Sequence, residues 1–336
     1  MGSLHTAGHA RGSFSGDHRA PAATAASRRR GAGIALVLSS AASNQTGAAL
    51  GATAFPAMGP VGVVAIRQLV TAIVLAPLVR PRFGDLSRDQ WWPILGLVVV
   101  FSVMNLSLYA AIDRIGLGLA VTLEFLGPLA VAVAGSRRPL DLACAVLAGL
   151  GVVVLTAPGP TTDVVGIALA LLAAAAWGSY ILLNRTVGRR LPGLQGTAAA
   201  SVVTAVLWSP VAVVWFASRT PTAPAVALAV GCGILSSIVP YVADLLALRR
   251  VSPPTFGTLT SINPVWAALA GWFLLHQALE LHEWLGIGLI VAGNAVVSTR
   301  GPAPVGGAVT SKHTTRRDPA DGPVRPLSRR GAGSAG

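Results

Sequence analysis

The sequence predicts an all-α polytopic membrane protein with ten transmembrane helices, arranged as two inverted repeats of five helices each. Three observations predict this fold: the composition, a series of long apolar runs and an internal repeat. Of the 336 residues, 53% are hydrophobic and only 11% are charged, and the mean hydropathy is +0.66. Soluble domains carry about 25% charged residues, so this chain has too few charges to cover a water-soluble body of its length.

Ten runs of mainly apolar residues approach the length of about 20 residues that a helix needs to cross a bilayer. They cover residues 33–50, 61–79, 91–111, 116–135, 140–157, 164–183, 197–217, 225–248, 256–275 and 284–298. Apolar and polar residues do not alternate along these runs, which favours helices over the strands of a barrel.

The two halves of the chain resemble each other. Residues 33–38 match residues 166–171, and Gly127-Pro128 recurs as Asn263-Pro264 in the same order and at nearly the same offset. Chance similarity between Gly/Ala/Leu-rich helices is the alternative, but two ordered matches favour duplication. Five spans per half force the halves into opposite orientations, the plan of many secondary transporters. The predicted domains are a disordered basic tail at 1–32, repeats at 33–157 and 164–299, and a second disordered tail at 300–336.

Basic residues are concentrated on one side of the ten predicted spans. That side, which includes both tails, carries 22 of the 25 lysines and arginines; the other side carries Arg114 and Arg219, and Arg67 lies within a span. The positive-inside rule therefore predicts that both termini lie in the cytoplasm. The net charge of +13 does not indicate nucleic-acid binding, because the basic residues lie in tails and short loops rather than on one surface.

The chain lacks the common signatures of soluble enzymes. Cys144 and Cys232 lie far apart inside apolar runs, as small packing residues do. HExxH, P-loop and CxxC motifs are absent from the sequence. We therefore expect no enzymatic activity, no cofactor and no metal site.

Three charged residues lie within the predicted spans: Arg67, Glu124 and Asp244. An intramembrane charge costs at least about 2.5–3.5 kcal/mol on insertion scales, so each one requires a reason. Arg67 and Glu124 lie at similar depth, roughly 10–14 Å below the outer face at 1.5 Å per residue. They could pair across a cavity, or form an ion pair that only fixes helix packing. Asp244 is either functional or an interfacial carboxylate neutralised by Arg249 or Arg250.

Neutral polar and aromatic residues lie at comparable depth in three other spans. Asn44, Gln45 and Asn105 either line a cavity or form hydrogen bonds between helices, which contribute about 0.6 kcal/mol each. Trp177 and Tyr180 lie three residues apart on one helix face and either pack or form an apolar wall. Together with Arg67 and Glu124 they form the predicted binding site.

Several stretches resemble the EamA branch of the drug/metabolite transporter superfamily, and within it the threonine/homoserine exporter group. They are residues 120–132 (AVTLEFLGPLAVA), 136–139 (SRRP) and 256–259 (FGTL), together with Pro240-Tyr241 followed by Asp244. The resemblance extends over about residues 33–299. It departs at Asn263, where that group tends to carry Glu, and at His276-Gln277, which replaces a usual Gly-Glu.

The resemblance implies efflux of small metabolites across the inner (cytoplasmic) membrane, driven by the proton gradient. An amino acid carries a carboxylate and an ammonium, so we expect Arg67 to bind the former and Glu124 the latter. Glu124 and Asp244 are the residues expected to couple transport to protons. The expected partners are a small-molecule substrate and the lipid bilayer, and a homodimer is compatible with the sequence. Efflux of drugs or other metabolites is one alternative, and a non-transporting scaffold or sensor is another.

Overall fold

The computed structural model describes residues 20–135, 138–157, 162–191 and 195–299, with side chains from Arg29 onward except that of Asp85. These residues form helices and no strand. The α-helices are α1 (Ala20–Thr53), α2 (Phe55–Val79), α3 (Arg88–Ile115), α4 (Leu117–Glu124), α5 (Leu126–Ala134), α6 (Pro139–Thr156), α7 (Val164–Arg190), α8 (Gln195–Ser218), α9 (Ala223–Gly233), α10 (Val239–Leu248), α11 (Pro253–Thr260), α12 (Asn263–Leu275) and α13 (Leu281–Ser298).

Within the described residues, nine segments are long and apolar enough to cross a membrane. Three of them are composite, formed by α4 with α5, by α9 with α10, and by α11 with α12; the other six are single helices. The nine correspond to the second to tenth predicted spans. The helix of the first, α1, is 34 residues long but is not among the nine, because Asn44, Gln45 and several serines dilute its apolar residues.

The predicted tails are outside or at the edge of the described chain. Residues 1–19 and 300–336 lie outside the described residues. α1 begins at Ala20, so the expected boundary of the N-terminal tail at residue 33 is too late: residues 20–32 continue the first helix. Ser136 and Arg137 of the Ser-Arg-Arg-Pro stretch also lie outside the described residues.

Helix breaks precede the two prolines that the internal repeat pairs. α4 ends at Glu124 and α5 begins at Leu126, just before Pro128. α11 ends at Thr260 and α12 begins at Asn263, just before Pro264. Proline has no N–H to donate to the carbonyl four residues earlier, so each helix is weakened at that point.

Five groups of helix contacts hold the described body together. α3 packs on α7, α2 on α8, α4 on α12, α6 on α13, and α1 on α9 and α10. The last contact is close because α1 presents Gly47 and Gly51: a Cβ on Gly47 would lie 2.4 Å from Ser236 Oγ. Such a pair of small residues lets two helix backbones approach each other, as in other membrane helices.

The helices end at two opposite ends of the body, which differ in charge. At the first, Gln195 Nε2 donates to Val79 O (3.4 Å) and Gln90 Nε2 to Arg190 O (3.1 Å), which joins the α2–α3 and α7–α8 connections. The arginines here are Arg29, Arg30, Arg80, Arg82, Arg88, Arg138, Arg185, Arg189, Arg190, Arg249 and Arg250. We call it the basic end. Among the described residues, only Arg114 and Arg219 lie at the opposite end.

The opposite end is closed by contacts between the two halves of the chain. Leu117 N, at the start of α4, donates to Gln277 Oε1 just beyond α12 (3.0 Å). Arg114 forms an ion pair with Asp163 (3.0 Å). The pKa of Asp163 lies below its usual value, because the Gly166 N–H donates to the carboxylate and Arg114 lies beside it.

Large apolar side chains face outward around the body. Ile73, Val99, Val153 and Val214 are between 57% and 72% exposed. In water, apolar surface of this extent would favour aggregation, whereas in a bilayer it contacts lipid. The outer surface is therefore that of a multi-pass membrane protein.

Candidate functional site

A cavity of about 330 Å³ lies among α1, α2, α3, α4, α7, α8 and α10. All seven residues predicted for the binding site lie on its wall: Asn44, Gln45, Arg67, Asn105, Glu124, Trp177 and Tyr180. They come from five helices in both halves of the chain. Thr197 and Leu75, which also line it, belong to helix termini at the basic end. We call this space of about 330 Å³ the first cavity.

The cavity is separated from the opposite end by close-packed side chains. Met58, Val63 and Leu117 are fully buried, and Ile112 is 2% exposed. Trp215 Nε1 of α8 donates to Met58 O (2.8 Å), which fixes α2 against α8 beside this layer. The cavity therefore extends toward the basic end and is closed on the other side.

Arg67 is held by the turn that precedes α10. Its Nε donates to Ser237 Oγ (3.2 Å) and its Nη2 to the carbonyl of Ser236 (3.2 Å). The guanidinium carbon lies 5.3 Å from the centre of the Tyr109 ring, within the range of a cation–π contact. Two of the five N–H bonds of the guanidinium are used in this way and Tyr109 lies beside it, which leaves part of the fork facing the cavity.

The carbonyls that orient Arg67 and α1 are available because residues 234–238 form a π-helical turn. Val239 N donates to Ile234 O rather than to Leu235 O, and Pro240 has no N–H to offer to either Leu235 O or Ser236 O. Ser43 Oγ of α1 donates to Leu235 O (2.9 Å). Arg67 takes Ser236 O, so the irregular turn builds the seat of the arginine.

Glu124 lies at the C-terminus of α4 and is 7% exposed. Among the described residues its carboxylate has no hydrogen-bond or ion-pair partner. The ion pair with Arg67 considered above is not formed, because Arg67 turns toward Ser236 and Ser237. A guanidinium and a carboxylate thus face one cavity without neutralising each other directly.

The three amides differ in how they are used. Gln45 Nε2 donates to Asn263 Oδ1 (3.0 Å), and Asn263 Nδ2 donates to Thr260 O (2.8 Å), so Gln45 joins α1 to the break between α11 and α12. Asn105 Nδ2 donates to Phe101 O on its own helix (2.7 Å). Asn44 accepts through its backbone carbonyl from Ser236 Oγ (2.8 Å).

The aromatic residues both pack and line the wall. Trp177 meets Phe125 edge to face with ring centroids 4.7 Å apart, and Tyr180 lies 5.4 Å from Phe101. Edge-to-face pairs of this kind fix ring orientation. Trp177 and Tyr180 therefore form a rigid apolar side of the cavity.

Asp244 lies on a different cavity, of about 440 Å³, between α1, α4, α5, α7, α10, α11, α12 and α13. We call it the second cavity. Asp244 Oδ1 is buried and has no hydrogen-bond partner. Neither Arg249 nor Arg250 pairs with it among the described residues; Arg250 instead donates to Leu246 O (2.6 Å). Of the two alternatives for Asp244, neutralisation by an arginine is thus not seen in the structure, and a functional role stays a prediction.

Comparison with known proteins identifies the family. The EamA-like transporter family matches residues 164–299. The chain is 36% identical over 270 residues to the threonine/homoserine exporter RhtA of Escherichia coli (strain K12). The match covers 78% of this chain and 89% of that protein. The protein of that name from Salmonella typhimurium (strain SL1344) is 35% identical with the same coverage. The chain belongs to the EamA-like transporter family.

A solved crystal structure shares the fold of this EamA-like transporter. The match has a TM-score of 0.54 and 21% sequence identity and covers 82% of this chain and 97% of that one. The family assignment and the nine apolar segments identify a multi-pass membrane transporter that acts on a small molecule.

Sequence reasoning missed several residues of the first cavity in this EamA-like transporter. Gln68, Ser201, Ser236, Ser237 and Tyr241 all line it. A signal existed for two of them: the dipeptide Ser236-Ser237 interrupts an apolar run shortly before Pro240. Polar residues before a proline in a membrane span indicate freed carbonyls and thus a candidate site.

Proposed function

We propose that this protein is a secondary active transporter that exports small amino acids, such as threonine and homoserine, across the cytoplasmic membrane. The observation that carries the proposal is that Arg67 and Glu124 face one cavity without pairing with each other. Burying two unsatisfied charges of opposite sign is costly, and a zwitterionic ligand would satisfy both. The naming of the similar exporters supports the same substrate class.

The chemistry of an α-amino acid fits the first cavity. The free N–H groups of Arg67 can bind a carboxylate through parallel hydrogen bonds. Glu124 then faces the ammonium, and Asn44 and Asn105 lie on the same wall for a side-chain hydroxyl. A volume of about 330 Å³ suits a small ligand rather than a bulky drug, because sites for drug-sized ligands range up to about 1,000 Å³.

The proposed architecture is ten spans in two inverted repeats. α1 is the first span, and the nine apolar segments are the other nine. The packing supports it: exchanging the halves turns the α1–α10 contact into the α7–α3 contact. The same exchange leaves the contacts of α2 with α8 and of α6 with α13 unchanged, and it pairs the composite span α4–α5 with the composite span α11–α12, which are in contact through α4 and α12. A pseudo-two-fold axis relating the halves has this effect, and it places a binding site at their interface.

The proposed mechanism is alternating access with proton coupling. Basic residues gather at one end, which the positive-inside rule places in the cytoplasm together with both termini. The first cavity extends toward that end, so the structure corresponds to an inward-facing state. Rocking of the halves would break the bond of Leu117 to Gln277 and open the other side. Glu124, when protonated, releases the ammonium, which links substrate and proton movement.

The test measures transport by the purified protein in proteoliposomes. Labelled threonine, homoserine, other amino acids and cationic drugs are loaded, and their efflux is followed with and without a pH gradient. We expect gradient-stimulated efflux of small amino acids. Efflux of drugs alone would support the drug/metabolite alternative, and movement of no compound would support a scaffold.

Substitution of Glu124 by Gln separates coupling from folding. Because the carboxylate forms no hydrogen bond or ion pair with a described residue, Glu124→Gln should fold and insert normally but lose efflux driven by a pH gradient. Asp113→Asn, which removes an exposed carboxylate at the opposite end, is the matched control. Normal gradient-driven efflux in Glu124→Gln would exclude Glu124 as the proton carrier.

A further inference from the structure

The second cavity adjoins the first and shares part of its wall. Residues on both walls are Asn44, Gln45, Glu124, Trp177, Tyr180 and Pro240. Beyond them, the second cavity is lined by polar groups that the first does not contain: Ser40, Asp244, Thr260, Ser261, Asn263 and Asn294. A polar lining of this kind can hold water in a body that is otherwise apolar.

Glu124 is the only carboxylate among the described residues that lines both cavities. It is 7% exposed and forms no hydrogen bond or ion pair with a described residue, so its carboxyl group lies on the wall that the two cavities share. Asp244 is the second carboxylate of the second cavity, and its Oδ1 is likewise buried without a partner. Two unneutralised carboxyl groups therefore occupy one polar cavity.

The second cavity lies toward the basic end. Asp244 is close to the C-terminus of α10, Gly257 is near the start of α11, and Ser298 ends α13. α11 and α13 meet there, since a Cβ on Gly257 would lie 3.3 Å from Ser298 Cβ. Glu124 lies deeper, at the break between α4 and α5. Asp244 is thus between Glu124 and the basic end.

We propose that the second cavity is a proton pathway to Glu124, separate from the path of the substrate, with Asp244 as its relay group. This inference rests on the proposed function. In the inward-facing state the O–H bond of Glu124 breaks, and its proton passes along the polar wall to the carboxylate of Asp244. Asp244 then releases the proton to cytoplasmic water. Glu124 is left as a carboxylate and can bind the substrate ammonium entering from the first cavity.

A separate pathway solves a steric problem. A substrate bound between Arg67 and Glu124 fills the first cavity, so a proton leaving by the same opening would have to pass it. With two openings, deprotonation of Glu124 and arrival of the substrate proceed together. The relay needs a titratable group between Glu124 and water, and Asp244 is placed for that role.

Few other charged groups act on this pair. On the cavity wall, Tyr180 is the other titratable side chain among the described residues. α11, which packs on α10, has none, and Ser40 of α1 lies beside Asp244. Tyr241, Arg249 and Arg250 belong to the helix end that carries Asp244, Arg29 and Arg30 are exposed on α1, and Arg67 faces Glu124 across the first cavity.

The experiment compares coupled and uncoupled transport in proteoliposomes. Asp244→Asn should lower efflux of labelled threonine driven by a pH gradient by about tenfold or more, the effect of losing a proton-transfer group. Its threonine Kd at fixed pH, and its threonine–threonine exchange without a gradient, should remain within about twofold of wild type, well under the tenfold that 1.4 kcal/mol represents. Asp244→Glu should restore coupled efflux. Asp89→Asn, an exposed carboxylate at the basic end, is the matched control.

The outcomes separate this inference from the proposed function. If wild-type protein neither binds nor exports amino acids, the proposed function fails. If it does, and Asp244→Asn keeps wild-type gradient-driven efflux, the relay is wrong. The relay is equally wrong if Asp244→Asn loses binding and exchange as well. If Asp244→Asn does not fold, Ser298→Leu is tested in its place. Its larger side chain narrows the second cavity near the basic end, and it must reproduce the selective loss of coupling.

Discussion

At the scale of single residues, the site depends on which groups accept the hydrogen bonds of Arg67. An arginine that paired with Glu124 would leave a neutral cavity with little affinity for a charged ligand. Ser236 and Ser237 draw the guanidinium away through two bonds of 3.2 Å each. Because these partners are a hydroxyl and a carbonyl, they orient the positive charge without cancelling it. Arg67 is thus pre-oriented toward the cavity and still electrically available.

The first prediction is that Arg67→Lys weakens substrate binding more than it weakens the fold. An ammonium keeps the charge but has no planar fork, so it cannot bond Ser236, Ser237 and a carboxylate together. Loss of a charge-assisted hydrogen bond costs about 1.5–3 kcal/mol, which corresponds to roughly a ten- to hundredfold rise in Kd for threonine. Isothermal titration and thermal unfolding of the purified protein measure the two effects.

A matched control for this substitution is Ser237→Ala, which removes one support of Arg67 and keeps the guanidinium. We expect a smaller rise in Kd than with Arg67→Lys. If Arg67→Lys unfolds at a much lower temperature but the folded fraction binds threonine normally, Arg67 is structural and the ligand lies elsewhere.

At the scale of helices, prolines place free carbonyls around the cavities. Pro240 leaves Ser236 O without its helical donor, and Arg67 occupies it. Pro264 does the same to Thr260 O, which accepts from Asn263 Nδ2 (2.8 Å). In a bilayer such carbonyls must find a partner inside the protein. The prolines therefore do more than bend the helices: they recruit polar side chains to the site.

The second prediction is that Pro240→Ala impairs binding without impairing stability. Alanine restores an N–H that can bond Ser236 O, so the carbonyl no longer holds Arg67. The bond from the guanidinium to Ser236 O is charge-assisted, and its loss, about 1.5–3 kcal/mol, sets the upper limit of the rise in the threonine Kd at roughly ten- to hundredfold. The unfolding temperature should stay constant or rise, because a proline inside a helix is unfavourable.

Pro210→Ala provides the comparison, since Pro210 is exposed inside α8 away from both cavities. Its Kd should equal that of wild type. A Pro240→Ala protein that binds normally would show that the freed carbonyl does not position Arg67.

The third prediction contrasts two helical glycines. A Cβ on Gly127 of α5 would lie 2.2 Å from Ala174 O of α7, whereas nothing lies within 4 Å of a Cβ on Gly149 of α6. Gly127→Ala must push α5 from α7, and overpacking of this kind costs about 1–3 kcal/mol. Gly149→Ala removes helix-destabilising glycine and should gain up to about 1 kcal/mol. Unfolding temperatures in one detergent should move in opposite directions; equal shifts would contradict the close approach.

The helices were predictable, but the π-helical turn that interrupts the span of α9 and α10 was not, for a physical reason. Hydropathy is a local property, so the second to tenth runs were placed to within a few residues. The π-helical turn at 234–238 depends on partners far along the chain, Ser43 and Arg67, which a local pattern does not identify. The charged and amide residues of the first cavity were predictable because lipid excludes them from the outer surface. The assignment of Asp244 to a second cavity required the packing of α11 and α13.

At the scale of the whole molecule, the two ends differ in charge and in closure. The end that carries most arginines is the one toward which both cavities extend. The other end is closed by Met58, Leu117 and the bond from Leu117 to Gln277. If the basic end is cytoplasmic, the structure is ready to receive a substrate from inside the cell. The side of the membrane to which the cavities open therefore depends on the orientation of the molecule.

The fourth prediction concerns that orientation. A fluorescent protein fused after residue 299 should be bright, and alkaline phosphatase inserted in residues 158–161, between α6 and α7, should be active. The first reporter functions only inside the cell and the second only outside. Arginines resist translocation, and the connection between α6 and α7 joins the end that contains only Arg114 and Arg219 among the described residues. Exchanging the reporters between the two sites should silence both. If the two sites report the same side, an even number of spans separates them, so the second half does not contain the proposed five spans and the inverted repeat is wrong. If both sites report with reversed sign, the five spans remain, but the cavities face the outside of the cell and the structure is an outward-facing state.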